Sequence, residues 1–561
     1  MRALPWTGLV AAPLFTLLAL GCQASIEDAP PSGPGTGGSG AGGAQNLAGG
    51  ATLPPGTETA SLLPARIRRL TDSEYQLTVN ALVGEGANGV SADFVPDSRQ
   101  GGFTVNEAQR VDPVLARQLA DAASKLAADV RAKAAPCAAP STPAQCADAF
   151  IRDFGKKAYR RPLGDDEVEH LMTVFNVALD GGSYAEGIEL VTRAMLQSAA
   201  FLYHTEIGDA PAATVKLTPY ELASSISYLL LGGPPTDALV DKALTGELDT
   251  TSGRAALIAE GLFQDGAGFS TALPSARVRR VIQEWLGTDR ISVTAKDSNI
   301  YPLYEGLRPE IEAETASFLG RLVQDQKGGS LATLLSADWT VAPQGLLAAY
   351  NLTGADSAGF VTTPQRLGIL NQAAFLSVFA HAHETAPVLR GVAIMRRVAC
   401  SPVADPIDLS TAIVPPPPDP NKTTRERFTV HATTACAACH NRIDNFGFAF
   451  EGFDAMGMAR TEDNKRPVDT TVSVIGTDFA GSFANSNELV KAMAQSPQVH
   501  ECFARNMFRA LAGTSSEASR MSEDDFVEYW KTGMATVTES SIAGTLSSYL
   551  TSPSFNFRKA Q

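Results

Sequence analysis

The stretch Leu70-Thr71-Asp72-Ser73-Glu74-Tyr75 is typical of the start of an α-helix. The Thr71 side chain can accept from a first-turn amide, and Glu74 can reach back to the amide of Thr71. The stretch Leu217-Thr218-Pro219-Tyr220-Glu221-Leu222 repeats this layout, with a proline at the first helical position. A weaker copy, with glycine as the cap, stands at residues 163–168. Three helix starts of one design predict a mostly α protein.

The rest of the chain agrees with a helical fold. Apolar residues recur at helical spacing in 185–202 and 311–322, and strand-like alternation is scarce outside 468–475. The chain has 561 residues, which is too long for one core and indicates several modules. Four consecutive prolines at 415–418 predict an extended link between two of them.

Charge argues against a nucleic-acid partner. The formal net charge is −15, from 45 Lys and Arg against 60 Asp and Glu. Binding to nucleic acid rests on neutralising phosphates with Lys and Arg, so such an acidic chain should repel it. The charge favours solubility, and a basic partner protein if there is one.

The N-terminus is typical of an export signal. Arg2 precedes an apolar run, 8–20, that is too short to span a bilayer. The run ends Ala19-Leu20-Gly21-Cys22, which is similar to a bacterial lipoprotein signal. We therefore expect a signal peptide at 1–21 and lipid on Cys22, with an ordinary secretory signal as the alternative. The protein would then reside in the cell envelope, periplasmic or at the outer membrane, and meet the membrane only through that lipid.

A low-charge segment of Gly, Pro, Ser and Ala follows, from about residue 29 to residue 56. It cannot bury a core, and about 30 such residues span roughly 30 Å root-mean-square. A flexible tether directly after a lipid anchor is physically sensible, so we assign 22–63 to a tether.

Cys436-Ala437-Ala438-Cys439-His440 is a CxxCH motif. Two thiols at this spacing can add to the two vinyl groups of one porphyrin, and His440 is then placed to supply the proximal imidazole to iron. A redox dithiol usually lies in a βαβ context, and a zinc site needs a second ligand pair, neither of which the sequence offers. A structural disulfide is the remaining alternative. We predict one covalently attached haem c, with His440 as a metal ligand.

Residues near the motif suit a haem. The segment 422–466 carries one more basic than acidic residue, whereas the whole chain is acidic. Haem brings two propionates, and Arg442 and Arg460 are the candidates to face them, with solvated surface arginines as the alternative. Four phenylalanines follow the motif and could line the ring or form plain core: Phe446, Phe448, Phe450 and Phe453.

Four cysteines remain for an oxidising compartment. Cys137 and Cys146 are close in sequence, with two prolines between them, and we predict a local disulfide there. That pairing leaves Cys400 with Cys502. Sequence alone permits three connectivities, and some of these cysteines could instead be buried thiols.

Short motifs between about residue 66 and residue 550 resemble those of one known family. The most specific block surrounds the CxxCH, and the shared motifs include Arg68-Arg69-Leu70-Thr71, Tyr159-Arg160-Arg161-Pro162-Leu163, Trp285-Leu286-Gly287, Pro387-Val388-Leu389-Arg390-Gly391, Gly447-Phe448 and Phe508-Arg509-Ala510-Leu511-Ala512-Gly513. In these the chain resembles the large exported haem-c proteins of planctomycetes and myxobacteria, built from serial modules catalogued only as domains of unknown function. The resemblance implies architecture and haem, and it implies no substrate.

The resemblance also bears on the second axial ligand. His381 and His431 both fall where the family pattern has histidine, and cytochromes commonly use His or Met at this position. His381 is far enough from His440 in sequence to fold over the other face of the ring, so we rank it first as a metal ligand, His431 second and Met456 third. Structural histidines are the alternative.

The expected organisation is a mostly α, multi-module protein with a cytochrome c-like haem module and a disordered N-terminal tether. Its modules are expected at 64–135, 136–210, 211–355, 364–465 (haem) and 466–555.

The expected function is one-electron transfer at the cell envelope, with a redox partner protein. A haem-dependent oxidoreductase, peroxidase-like or oxidase-like with an open distal site, and an envelope scaffold in which haem is secondary are the alternatives. Roughly 100 residues suffice for a carrier, so the size favours the alternatives, and the sequence leaves open whether the protein is an enzyme.

Overall fold

Helices dominate the chain, as the capping motifs predict. A computed structural model describes residues 53, 57–134, 136–179, 182–209, 212–257, 272–324, 329–403, 416–429, 437–514 and 519–560. The first helices are α1 (Asp72–Val83), α2 (Pro113–Lys133), α3 (Pro143–Tyr159), α4 (Asp165–Leu179), α5 (Tyr184–Leu196) and α6 (Ala199–Leu202). The middle helices are α7 (Pro219–Leu230), α8 (Asp237–Leu244), α9 (Thr251–Leu257), α10 (Ala272–Leu286), α11 (Tyr304–Val323), α12 (Leu331–Ser336), α13 (Gln344–Ala349) and α14 (Ala373–Val378). The last are α15 (Pro387–Arg397), α16 (Thr424–Phe428), α17 (Ala437–Phe448), α18 (Ser486–Ala494), α19 (Pro497–Ala512), α20 (Arg520–Thr532) and α21 (Ile542–Thr551).

Capping boxes fix the starts of α1 and α7. The amide of Glu74 donates to the Thr71 hydroxyl over 3.2 Å, and the Thr71 amide donates back to the Glu74 carboxylate over 2.9 Å. Thr218 and Glu221 exchange the same pair of bonds over 3.1 and 3.0 Å. Each box satisfies two amides that the first turn would otherwise leave without partners.

Strands are short and pair only in twos among the described residues. All five pairs are antiparallel: β1 (Arg66–Arg69) with β2 (Tyr203–Glu206), β3 (Thr214–Lys216) with β10 (Phe557–Lys559), β4 (Trp339–Val341) with β5 (Phe360–Thr362), β6 (Glu462–Asp463) with β7 (Arg466–Pro467), and β8 (Val472–Val474) with β9 (Gly481–Phe483). In the first pair Arg66 lies opposite Glu206, and in the second Phe557 lies opposite Lys216. The first two pairs therefore join segments that are far apart in sequence.

The helices pack into cores that several predicted modules share. One core takes residues from both 64–135 and 136–210, such as Tyr75 and Ile151. The largest core runs from Leu63 to Phe555. Burying one large apolar side chain stabilises the folded chain by about 1.5–3 kcal/mol, so these shared cores hold neighbouring modules together.

Two disulfides form as predicted. Cys137 pairs with Cys146, with Cα atoms 5.9 Å apart, and Cys400 pairs with Cys502, with Cα atoms 5.4 Å apart. The second bond ties the segment after α15 to α19. It therefore closes a long loop that contains the CxxCH motif.

The expected signal peptide, Cys22 and most of the tether lie outside the described residues. In the part of the chain that the structure describes, no helix has the length and apolar character needed to cross a bilayer.

Candidate functional site

Helix α17 carries the second half of the CxxCH motif. Cys439 and His440 lie in its first turn, and Cys436, directly before it, lies outside the described residues. The Cys439 thiol is exposed and takes no part in the two disulfides. A thiol in this position is accessible for covalent attachment, whereas the four disulfide cysteines are not.

His440 is held by a carboxylate one turn further along the same helix. Its Nδ1 lies 2.9 Å from Oδ1 of Asp444, and the two side chains are 15 % and 7 % exposed. When the carboxylate is ionised, Nδ1 carries the proton and Nε2 carries the lone pair that a metal requires. A carboxylate bound to the second ring nitrogen is the usual support of a histidine that ligates a metal.

Arg442, two residues beyond His440, has a buried nitrogen with no partner. Among the described residues its Nε donates to no acceptor, and the guanidinium forms no ion pair. A Cβ built on Gly476 would lie 3.3 Å from this Nε, so glycine leaves room for the guanidinium. The Arg442 side chain as a whole is partly exposed, so water solvates part of its charge. Its buried Nε can still donate to an anionic acceptor such as a haem propionate, and the chemistry of this residue is therefore compatible with a haem.

Arg460 is placed differently. Its Nη2 donates to the Glu451 carboxylate over 2.8 Å, its Nε donates to the Glu451 carbonyl over 2.9 Å, and Nη1 lies 3.2 Å from Asp463. These contacts give Arg460 a structural role in the segment after α17. Its suggested contact with a propionate stays a prediction.

Glu451 is the centre of a buried network that sequence reasoning missed. Its carboxylate accepts from Thr385 over 2.8 Å and faces the guanidinium of Arg390 at 3.4 Å. Burial raises the pKa of Glu451, against the opposing effect of the two arginines, and burial lowers the pKa of Arg390 to about 10. Arg390 lies in a shared motif and Arg460 was a candidate to face a propionate, but no local pattern in the sequence indicates that they meet Glu451.

Helices α15 and α17 pack against each other in antiparallel directions, through two glycines. A Cβ on Gly391 would lie 2.1 Å from the carbonyl oxygen of Ile443, and one on Gly447 would lie 1.9 Å from that of Pro387. The chain before α15 therefore lies at the C-terminal end of α17, whereas His440 lies in its first turn. His381 lies six residues before Pro387, in the segment that leads into α15.

The loop that carries His381 is fixed by a buried lysine. Lys296 Nζ donates to the carbonyls of Ser377, Ala380 and His381 over 2.8, 3.2 and 2.9 Å. Burial lowers the pKa of Lys296 to about 8 and also lowers the pKa of His381. The His381 ring stacks on His383, with centroids 6.1 Å apart.

The other two candidates for the second ligand are His431 and Met456. His431 lies outside the described residues. Met456 is 6 % exposed and packs in a small core with Tyr304 and Ile311. The second axial ligand stays a prediction for all three residues.

The aromatic cluster after the motif is part of the largest core. Phe446, Phe448, Phe450 and Phe453 are all buried there. Arg425 lies over the Phe448 ring, 4.9 Å from its centroid. The cluster thus anchors α17 in the fold.

An open cleft lies beside α17. It has a volume of about 500 Å³ and lies between Arg425, Asn445 and the β8–β9 hairpin. The amide of Ser473 donates to Asn445 over 3.2 Å, which joins the hairpin to the helix. Cofactor sites commonly occupy about 300–1,000 Å³.

In the described parts of the chain, no three His, Cys, Asp or Glu side chains converge as a set that could hold a metal ion.

Four family models match the chain, each described as a protein of unknown function. In chain order they are DUF1587 over residues 68–132, DUF1595 over 146–206, DUF1592 over 217–352 and DUF1588 over 366–463. Their serial order confirms the predicted architecture of serial modules of unknown function. No curated protein and no solved structure matches the chain.

Proposed function

We propose that this chain, which belongs to the family built from these four modules in series, is an exported c-type haem protein that transfers single electrons at the cell envelope. The observation that carries the proposal is the 2.9 Å hydrogen bond between Nδ1 of His440, the last residue of the CxxCH motif, and the carboxylate of Asp444. That bond gives the histidine next to two thiols the tautomer and the fixed ring that a metal ligand needs.

Several residues of this chain would each have a separate role in holding the haem. Cys436 and Cys439 would hold the porphyrin through thioether bonds, and His440 would supply the proximal imidazole. Asp444 orients that imidazole and fixes its ring through the hydrogen bond to Nδ1. Arg442 offers a cation without a partner among the described residues, which suits a propionate. A bound haem supplies the one-electron couple of its iron.

The location at the envelope is proposed from the N-terminal sequence. A lipid on Cys22 would anchor the protein, and the tether over 22–63 would hold the helical modules away from the bilayer. The expected partner is a redox protein, and a basic one would be attracted by the net charge of −15. That same charge disfavours nucleic acid.

A haem-dependent oxidoreductase with an open distal side is the second candidate. The length of the chain favours it, because roughly 100 residues suffice for an electron carrier of typical size, whereas this chain has 561 residues.

Covalent haem is the direct test. The full chain, expressed with a haem-c maturation system, should keep its colour after denaturation, with one haem per chain. The double variant Cys436→Ala with Cys439→Ala should lose the colour. The matched double variant Cys137→Ala with Cys146→Ala removes two disulfide cysteines instead and should keep it. A colourless wild type under these conditions would contradict the proposal.

Carbon monoxide separates the two candidates. If the reduced protein has two protein ligands on iron, its spectrum should not change when carbon monoxide is added. A changed spectrum would identify an open coordination position and favour the oxidoreductase.

A further inference from the structure

A small polar cavity lies where the first three helical modules meet the C-terminal module. Its volume is about 30 Å³, and Arg66, Arg68, His204, Tyr228 and Arg277 are among its lining residues. One water needs about 10–15 Å³ of such space, so the cavity has room for about two waters or one monatomic ion. Most of the lining is buried, whereas Arg277 is partly exposed and gives a route to solvent.

Positive charge exceeds negative charge around this cavity. Two carboxylates line it, and both already have arginine partners. Glu74 accepts from Arg68 over 2.6 and 3.1 Å. Glu206 accepts from Arg66 over 2.8 Å and lies 2.7 Å from Arg558.

The neighbouring polar groups do not add negative charge. Burial lowers the pKa of His204, so this ring is neutral at pH 7. His204 Nε2 lies 3.3 Å from the Ser225 hydroxyl, and that hydroxyl donates to Glu206 over 3.0 Å. The Tyr228 hydroxyl donates to the Thr78 hydroxyl over 2.7 Å, because the Thr78 hydroxyl itself donates to the Glu74 carbonyl.

Arg277 is the lining arginine that does not pair with either of these two carboxylates. Its Nε is buried and has no hydrogen-bond partner, and within the described residues its guanidinium forms no ion pair. Burial lowers its pKa, although the charges of Glu74 and Glu284 oppose that effect from a distance. A donor that is removed from water without an acceptor is unfavourable for the folded state, so an anion that accepts from Nε would be bound favourably.

We propose that this cavity binds a small monovalent inorganic anion of the size of chloride, with Arg277 as its main ligand. The anion would neutralise the excess arginine charge at the point where residues of four sequence modules meet. Because it binds only the folded arrangement, it would stabilise the folded state by an amount that grows with the logarithm of its concentration above the dissociation constant. This proposal is independent of haem.

The test compares salts and variants of the full purified chain. In sodium chloride the thermal midpoint of the wild type should rise with concentration and exceed that in sodium gluconate of equal, high concentration by about 2 °C or more, since gluconate is too large for the cavity. Arg277→Met should abolish this difference. Arg279→Met, two residues along the same helix, should retain it. Equal midpoints in both salts for the wild type, or an undiminished difference in Arg277→Met, would overturn the proposal.

Diffraction gives a second measurement that does not depend on the variant folding. Crystals of the wild type grown in sodium bromide should show an anomalous peak beside the Arg277 guanidinium. A cavity that holds only water, with no such peak, would also overturn the proposal.

Discussion

Asp444 is the residue on which the proposed haem chemistry depends most closely, because its carboxylate holds His440. It lies 2.9 Å from His440 Nδ1, with which it forms a hydrogen bond, and it is 7 % exposed. A buried carboxylate acts strongly on its hydrogen-bond partner, because little water screens the interaction. The CxxCH motif was evident in the sequence, but the role of Asp444 was not. Only the helix that starts at the motif puts a residue four positions on beside the imidazole.

Asp444→Asn tests this role at the scale of one residue. The amide has the same shape but no charge, so haem attachment through Cys436 and Cys439 should persist. His440 would donate less electron density, and the oxidised state of the iron would lose more stabilisation than the reduced state. We expect the reduction potential to rise, by about 59 mV for each tenfold loss of preference for the oxidised state.

Spectroelectrochemical titration of both proteins would measure that rise. Asp469→Asn, which neutralises an exposed carboxylate of the same segment, should leave the potential nearly unchanged. An unchanged potential in Asp444→Asn would contradict the role given to the carboxylate.

At the scale of elements, sequence patterns predict where helices start better than how they pack. Thr71 and Thr218 cap their helices as predicted, because a capping box is a local interaction between residues three apart. The crossing of α15 and α17 was not predicted. It depends on Gly391 and Gly447, and a glycine in a helix does not by itself reveal which backbone approaches it.

Gly447→Ala should destabilise the fold through this crossing. The new Cβ would lie 1.9 Å from the carbonyl oxygen of Pro387, so α15 and α17 would have to separate. Overpacking of this kind costs about 1–3 kcal/mol. Gly306→Ala, in α11, is the matched control, since nothing lies within 4 Å of its Cβ position. It should be neutral or stabilise the protein by up to about 1 kcal/mol. Urea denaturation measures both, and equal effects would contradict the proposed crossing.

At the scale of the whole molecule, the modules are held together by contacts that span most of the sequence. Glu206 pairs with Arg66, 140 residues earlier, and with Arg558, 352 residues later. The largest core likewise extends from Leu63 to Phe555. The sequence could not predict these contacts, because a charged residue in a strand carries no sign of its distant partner. The two disulfides could be predicted, since few pairings of four cysteines exist and one pair is close in sequence.

The Cys400–Cys502 disulfide should contribute more to stability than the Cys137–Cys146 disulfide. The first spans 102 residues and the second spans 9. A cross-link removes conformational entropy from the unfolded chain, and the effect grows with loop length, to about 4.7 kcal/mol for 100 residues and under about 3 kcal/mol for a loop shorter than 15. The long loop also contains α17 and the CxxCH motif. Replacing Cys400 and Cys502 by alanine should therefore lower the free energy of unfolding, measured by urea denaturation, more than replacing Cys137 and Cys146. A larger loss from the short-loop pair would show that native packing around the bonds, and not loop entropy, sets their contributions.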